Sequence, residues 1–279
     1  MKKMIESTQR LSDYLATFGP AAVAVSGGVD SMTLAVLAHR MNPEIEMFHA
    51  VSPAVPVQAT QRVYDYAKAE GWHLKVIDAG EIEDPEYLAN PANRCYFCKT
   101  NLYATIVENT ESLVMSGTNL DDLGDYRPGL GAAKEHQVCH PYVDCEISKP
   151  MLREIARELE LLDLHDLPAA PCLSSRIETG IRINPSVLPV INDVEQTLWQ
   201  SLQLIMPIKG VRCRVRADGV VIELETTETI NEQAEFCQLA KDLTTEKFEA
   251  AGFKELVGFV SVEPYRRGSA FLIETLAVE

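Results

Sequence analysis

Between residues 21 and 161 short apolar runs alternate with helix-like patterns, and this alternation constrains the fold more than any other feature of the chain. AAVAV (21–25) reads as a buried strand, and EIEMFHAVS (44–52), HLKVIDAG (73–80) and SLVMSGT (112–118) as three further strands. SMTLAVLAHRM (31–41), ATQRVYDYAKAEG (59–71), the segment around CYFCKTNLYATIVENT (95–110) and ISKPMLREIARELEL (147–161) read as helices. Strands joined by helical crossovers predict an α/β fold, a parallel sheet sandwiched by helices. Its ligand is expected at the carboxyl ends of the strands.

The pattern changes after about residue 185. VRCRVRADGVVIELE (211–225) alternates at period two around Asp218-Gly219, a hairpin signal. Residues 231–252 then read as one long or two short helices, and LVGFVSVEPYRRGS (256–269) as a last strand running into a loop. We expect two domains, residues 1–184 and a smaller C-terminal α+β domain of residues 185–279, with the boundary near Asn184-Pro185. The second domain is expected to bind substrate or mediate oligomerisation. A chain of 279 residues, 46% of them apolar, is long enough to bury both cores.

Charge narrows the partners. Acidic residues outnumber Lys and Arg 41 to 25, a net charge of −16, which disfavours a broad nucleic-acid surface because phosphate binding needs clustered cations. The N-terminus lacks the apolar core of a signal peptide, and no run approaches the ~18 apolar residues of a membrane span. A cytoplasmic protein without membrane contact is expected. In that setting the seven cysteines read as thiols or metal ligands rather than a disulfide frame.

Ser26-Gly27-Gly28-Val29-Asp30-Ser31 falls where the first strand hands over to a helix. Free N–H groups and the positive end of the helix dipole make such a loop an anion site. Glycines let phosphate oxygens approach, and Ser26 and Ser31 add hydroxyls. Asp30 would repel phosphate directly, so its expected role is to hold Mg²⁺. No Lys follows, which separates the loop from the Walker pattern. The plainer alternative is a glycine turn with a serine cap.

Further along, Gly117-Thr118-Asn119-Leu120-Asp121-Asp122 follows the fourth strand, where a nucleotide's sugar and phosphates would sit, unless it is only an Asn/Asp turn. Arg127, in DYRPG, is placed to pair with a phosphate or carboxylate, or to make a structural salt bridge. In PCLSSR, Cys172 precedes Arg176 by four residues, a spacing at which the guanidinium would favour the thiolate and meet an anionic substrate.

SGGVDS resembles the signature of the PP-loop ATP pyrophosphatases, which cleave ATP between the α and β phosphates and adenylate a substrate oxygen; members include NAD synthetase, GMP synthetase, argininosuccinate synthetase and the tRNA thiolases. Taken with NRCYFCK (93–99), GTNLDD, DYRPG, PCLSSR and PYRRGS (264–269), the chain is similar over nearly its whole length to the LarE family of ATP-dependent sulfur transferases. The resemblance implies ATP and Mg²⁺ as cofactors. It implies adenylation of a carboxylate of pyridinium-3,5-biscarboxylic acid mononucleotide and attack by Cys172 to give a thioester. Release of a thiocarboxylate would follow, in nickel-pincer nucleotide biosynthesis. Relatives form hexamers, so a homo-oligomer is the implied state.

The resemblance leaves two sulfur sources open. One is the sulfur of Cys172 itself, sacrificed to leave dehydroalanine. The other is a sulfide on a 4Fe-4S cluster held by Cys95, Cys98 and Cys172, the first two having ligand spacing. A pair of reduced thiols on a helix is the alternative for Cys95 and Cys98, and Cys139, Cys145, Cys213 and Cys237 read as packing residues. Arg212, Arg214 and Arg216 point to one strand face and, with Arg266, would bind a mononucleotide's phosphate; pairing of the first three with Glu223 and Glu225 across the hairpin is the competing reading. Other functions to weigh are a tRNA thiolase, another PP-loop adenylating amidotransferase, and an iron-sulfur nucleotide-binding regulator without turnover.

Overall fold

The structure is a computed structural model that describes residues 5–124, 126–169, 171–227, 234–266 and 268–269. In chain order the elements are α1 (Glu6–Leu15), β1 (Ala21–Ala24), α2 (Val29–Met41), β2 (Glu46–Ala50), α3 (Val57–Glu70), β3 (His73–Ile77), α4 (Pro85–Leu88), α5 (Arg94–Asn109) and β4 (Leu113–Ser116). They continue with α6 (Gly129–Glu135), α7 (Pro141–Asp144), α8 (Lys149–Glu158), α9 (Val187–Leu202), β5 (Ile208–Arg216), β6 (Gly219–Thr226), α10 (Ala234–Ala250) and β7 (Val260–Pro264).

The chain divides into two compact units, residues 1–87 with 93–170, and residues 88–92 with 171–279. In the first, β1 to β4 form the expected parallel sheet, in the order β3-β2-β1-β4. Alternation along the strands sends side chains into two separate cores. Ala21, Val23, Met47 and Met115 join Leu11, Met32, Leu34 and Leu152 on one face. Ala22, Phe48 and Val114 join Tyr103, Ile106 and Ala132 on the other. Each central strand is thus buried on both sides, which is why these runs read as continuously apolar. Among the described residues no helix is long and apolar enough to cross a membrane.

The second unit is built on the mixed sheet β5-β6-β7, with β5 and β6 antiparallel through the turn at Asp218-Gly219, as expected, and β7 parallel to β6. α9 buries Leu188, Ile191, Val194 and Leu198, and α10 buries Phe236, Ala240 and Phe248. The division falls at Pro171, not near Asn184-Pro185. Residues 171–184 are bonded into this unit: Glu178 N–H donates to the Val215 carbonyl, Gly180 N–H to that of Asn90, and Ile183 N–H to that of Leu88. The Asn90 side chain, fully buried, donates to the carbonyls of Glu178 and Ile181 at 2.8 and 2.9 Å. Residues 88–92 therefore join a unit whose other members lie far downstream in the chain.

Candidate nucleotide site and the Cys172 turn

In the first unit the loop after β1 opens α2 at the sheet's carboxyl end. Gly28 caps α2 without any side-chain hydrogen bond, so the first-turn N–H groups keep the dipole end open to an anion. Ser31 Oγ accepts from the Ser26 N–H at 3.0 Å, lies 3.1 Å from Ser26 Oγ and donates to the Gly28 carbonyl at 3.3 Å, so the two serines close the loop on itself. Gly27 has φ +76°, and a Cβ there would stand 2.4 Å from the Ala59 carbonyl oxygen, so no larger residue fits.

The motif after β4 presses against this loop. A Cβ on Gly117 would lie 2.7 Å from the Ser31 nitrogen. Asn119, buried, donates from Nδ2 to Asp30 Oδ1 at 3.1 Å. Its own backbone N–H is held by Asp122, and its Oδ1 accepts from the Asp121 N–H. Arg127, largely exposed, pairs with Asp122 at 2.6 Å. Thr118 Oγ1 lies 3.2 Å from Ser116 Oγ, which in turn lies 2.9 Å from His140 Nδ1. Burial lowers the His140 pKa, against a weaker opposing effect of Asp144.

Lys149, which the sequence analysis did not single out, completes the cluster. Its Nζ lies 2.5 Å from both carboxylate oxygens of Asp30, and its backbone N–H donates to Asp121. Tyr142 donates to the Asp30 carbonyl at 3.0 Å, and burial together with the Asp30 charge raises its pKa well above the usual phenol range. The site thus brings together Ser26, Ser31, Asp30, Gly117, Thr118, Asn119, Arg127 and Lys149. Uncapped amides, two hydroxyls, an ammonium and glycines that clear the approach fit a polyphosphate. Mg²⁺ would be held by Asp30 and the phosphate oxygens, with Lys149 giving way.

In the second unit, the 3₁₀ turn Leu173–Arg176 fixes Cys172 by its backbone. The Cys172 carbonyl accepts from Ser175 N–H at 3.0 Å, Ser175 Oγ at 2.7 Å and Arg176 Nη1 at 3.3 Å. The thiol is free and half-buried. Arg176 is 2% exposed and forms a forked pair with Glu195, at 2.9 and 3.0 Å. This departs from the expectation that Arg176 meets an anionic substrate: its donors are taken up by Glu195 and by the Pro171 and Cys172 carbonyls. Glu195 also accepts from the Cys213 N–H. The signal for it in the sequence is a carboxylate on the apolar face of α9, beside Ile191 and Leu198.

The arginine strand divides. Arg214, 5% exposed, pairs with Glu223 at 2.9 Å and donates to the Ser175 carbonyl. Arg216 bridges Glu223 and Glu263. The cross-hairpin pairing with Glu223 is therefore present for both, and neither presents its guanidinium as the expected phosphate ligand. Arg212 is half-buried; desolvation, then the neighbouring Arg176, and more weakly Arg214, lower its pKa, while Glu195 and Tyr265 oppose them. Arg266 is exposed. Asp125 of DYRPG and Arg267 of PYRRGS lie outside the described residues.

Cys95 and Cys98 sit in the first two turns of α5, half-buried and outside any disulfide. They supply two donors in the first unit, and Cys172 belongs to the second. Within neither unit, among the described residues, does a group of three or more His, Cys, Asp or Glu stand ready for a metal ion. The donors present in one unit do not by themselves fit a 4Fe-4S cluster. Cys139 lies 3.6 Å from Tyr14 Oη and 3.5 Å from Asp144, and burial raises its pKa; Cys145 and Cys213 are buried.

No family model matches the chain. It is 36% identical over 198 residues to the uncharacterized protein slr1717 of Synechocystis, covering 69% of this chain and 74% of that one. It is 29% identical over 273 residues to the uncharacterized protein MJ0830 of Methanocaldococcus jannaschii, covering 95% and 98%. It is also 26% identical over 267 residues to GMP synthase (glutamine-hydrolyzing) of Aquifex aeolicus, covering 80% of this chain and 51% of that protein.

Proposed function

The chain belongs to one protein family with slr1717 of Synechocystis, and from that premise we propose that it is an ATP-dependent sulfur transferase forming AMP and pyrophosphate. The distant relation to GMP synthase supports the coarser part of this reading, an ATP-using enzyme of the PP-loop superfamily. The cluster of donors around Asp30 is the observation that carries it, because uncapped amides, hydroxyls and Lys149 converge where a triphosphate would be gripped.

In the proposed reaction, a carboxylate oxygen of pyridinium-3,5-biscarboxylic acid mononucleotide attacks the α phosphorus of ATP. The α–β bridging bond breaks, and pyrophosphate leaves against the loop amides. Asp30 would hold Mg²⁺, which would supply charge neutralisation at the phosphates. The acyl adenylate then loses AMP to the Cys172 thiolate, giving a thioester; Ser175 and Arg176 hold the backbone that carries this sulfur. Removal of the Cys172 α proton expels the thiocarboxylate and leaves dehydroalanine. A sulfide delivered by a cluster on Cys95, Cys98 and Cys172 would instead spare Cys172.

Anaerobic purification, iron and sulfide analysis, and intact mass before and after reaction test the proposal. A fall of roughly 34 Da, one H₂S, without iron is the expected result. ADP and orthophosphate as products, or a Cys172→Ala protein that forms thio-acid at full speed, would overturn it.

A further inference from the structure

The loop contains a peptide unit flanked by glycine on both sides, Gly27–Gly28, and α3 holds it in one orientation. Arg62 Nη1 donates to the Gly27 carbonyl oxygen at 2.7 Å. In a trans peptide the C=O and the following N–H point in opposite directions. With the Gly27 carbonyl turned toward α3, the Gly28 N–H is turned away from α3. Nothing intrinsic to two glycines enforces this, since rotation of that peptide meets no Cβ on either side. The reversed peptide would present a carbonyl oxygen where an N–H stands now.

The rest of α3 backs the same loop. The Ala59 carbonyl occupies the space where a Gly27 Cβ would go. His49, 1% exposed, bridges the Val25 carbonyl at 2.9 Å and Thr60 Oγ1 at 3.0 Å, tying the strand end before the loop to the same helix turn. Three points of α3, Ala59, Thr60 and Arg62, therefore register on residues 25 to 27, and among the three Arg62 acts on the peptide that can turn over.

We propose that Arg62 is a positioning residue for polyphosphate binding: by holding the Gly27 carbonyl it keeps the Gly28 amide directed at the bound anion. The inference rests on the nucleotide reading given above. Arg62 does not touch the ligand; it acts through one peptide plane. It lines an open cleft with Gln58, Gln61, Asp65, Tyr66 and Asp163, so a small cation can reach its place from solvent when the side chain is cut back.

The test is titration calorimetry of Mg-ATP, and of pyrophosphate alone, on the full chain and its Arg62→Ala and Arg62→Lys variants, with thermal melts alongside. Arg62→Ala is expected to bind both ligands roughly 10- to 100-fold more weakly, the range for losing a charged hydrogen bond, at an unchanged melting temperature. Arg62→Lys should lose less. Methylguanidinium at millimolar concentration should restore ATP affinity to Arg62→Ala and leave the parent chain unaffected, a response that a merely structural role would not give. Equal affinity in Arg62→Ala and the parent, or a loss that methylguanidinium does not reverse, would overturn the inference alone. Failure of the parent chain to bind either ligand would overturn the nucleotide reading, and this inference with it.

Discussion

The ammonium of Lys149 stands 2.5 Å from each carboxylate oxygen of Asp30, so the acidic side chain of the loop is matched by a cation before any nucleotide arrives. The pair is about one-third exposed and exchangeable. Phosphate entering the site would take Lys149 for itself and leave Asp30 to Mg²⁺. Lys149→Ala should therefore reduce kcat/KM for pyrophosphate release by roughly 10²- to 10³-fold, the range for losing one preorganised charge. Asp30→Asn should abolish the Mg²⁺ dependence along with the rate. A coupled pyrophosphate assay across Mg²⁺ concentrations reads both.

The three glycines of the site differ in what they tolerate. Gly117→Ala would force a Cβ to 2.7 Å from the Ser31 nitrogen, and Gly27→Ala to 2.4 Å from the Ala59 carbonyl, backbone against backbone in both cases. Each should cost about 1–3 kcal/mol, or several degrees in melting temperature. Gly28→Ala meets nothing nearer than Ser26 Oγ at 3.7 Å and should melt like the parent. Scanning calorimetry separates the three.

Lys149 shows where reading the sequence stops. A lysine at the first position of a helix opposes the helix dipole, and α8 has no acidic residue in its first turn. That local cost is the mark such a lysine leaves, because its partner Asp30 is 119 residues away. The loop, the parallel sheet and the hairpin were legible because each is written in a short window: a glycine pair after an apolar run, apolar periodicity, an Asp-Gly turn. Arg214 and Arg216 were legible as one face of a strand. Which carboxylate meets them depends on register, and which of them is buried depends on packing. The unit boundary was hidden for the same reason, since Asn184-Pro185 looks like a break while residues 177–183 are bonded to Leu88, Asn90 and Val215.

The Arg176–Glu195 pair is almost wholly buried, and its partners include the Cys172 carbonyl. Removing one member leaves an uncompensated charge in the core, which typically costs about 3–5 kcal/mol. Glu195→Gln should therefore lower the denaturation midpoint of the second unit while the first unfolds as before. Domain-resolved hydrogen exchange is the measurement, and protection lost around residues 171–177 is the expected signature.

His49 gives the fold a pH dependence of known sign. Burial lowers its pKa below the ordinary 6.5, against a weaker opposing effect of the Val25 carbonyl. The unfolded chain therefore takes up this proton before the folded chain does. Its contribution to stability is complete above about pH 6.5 and is lost as pH falls toward the folded-state pKa. Melting temperature should drop between about pH 7.5 and 5.5, and the drop should be shallower in His49→Gln.

Asn90 waits for its partners during synthesis. The carbonyl of Ile181, to which its side chain donates, is made 91 residues later. At the ~5–20 residues per second of a ribosome, that is a delay of roughly 5 to 20 seconds. Through that interval, while residues 93–170 of the sheet unit are themselves being made, the short segment 88–92 is a hook without an eye. A fragment expressed from residue 171 onward would lack that hook and leave the Glu178 and Ile181 carbonyls to water, whereas one expressed from residue 185 onward would lack the hook and those carbonyls alike.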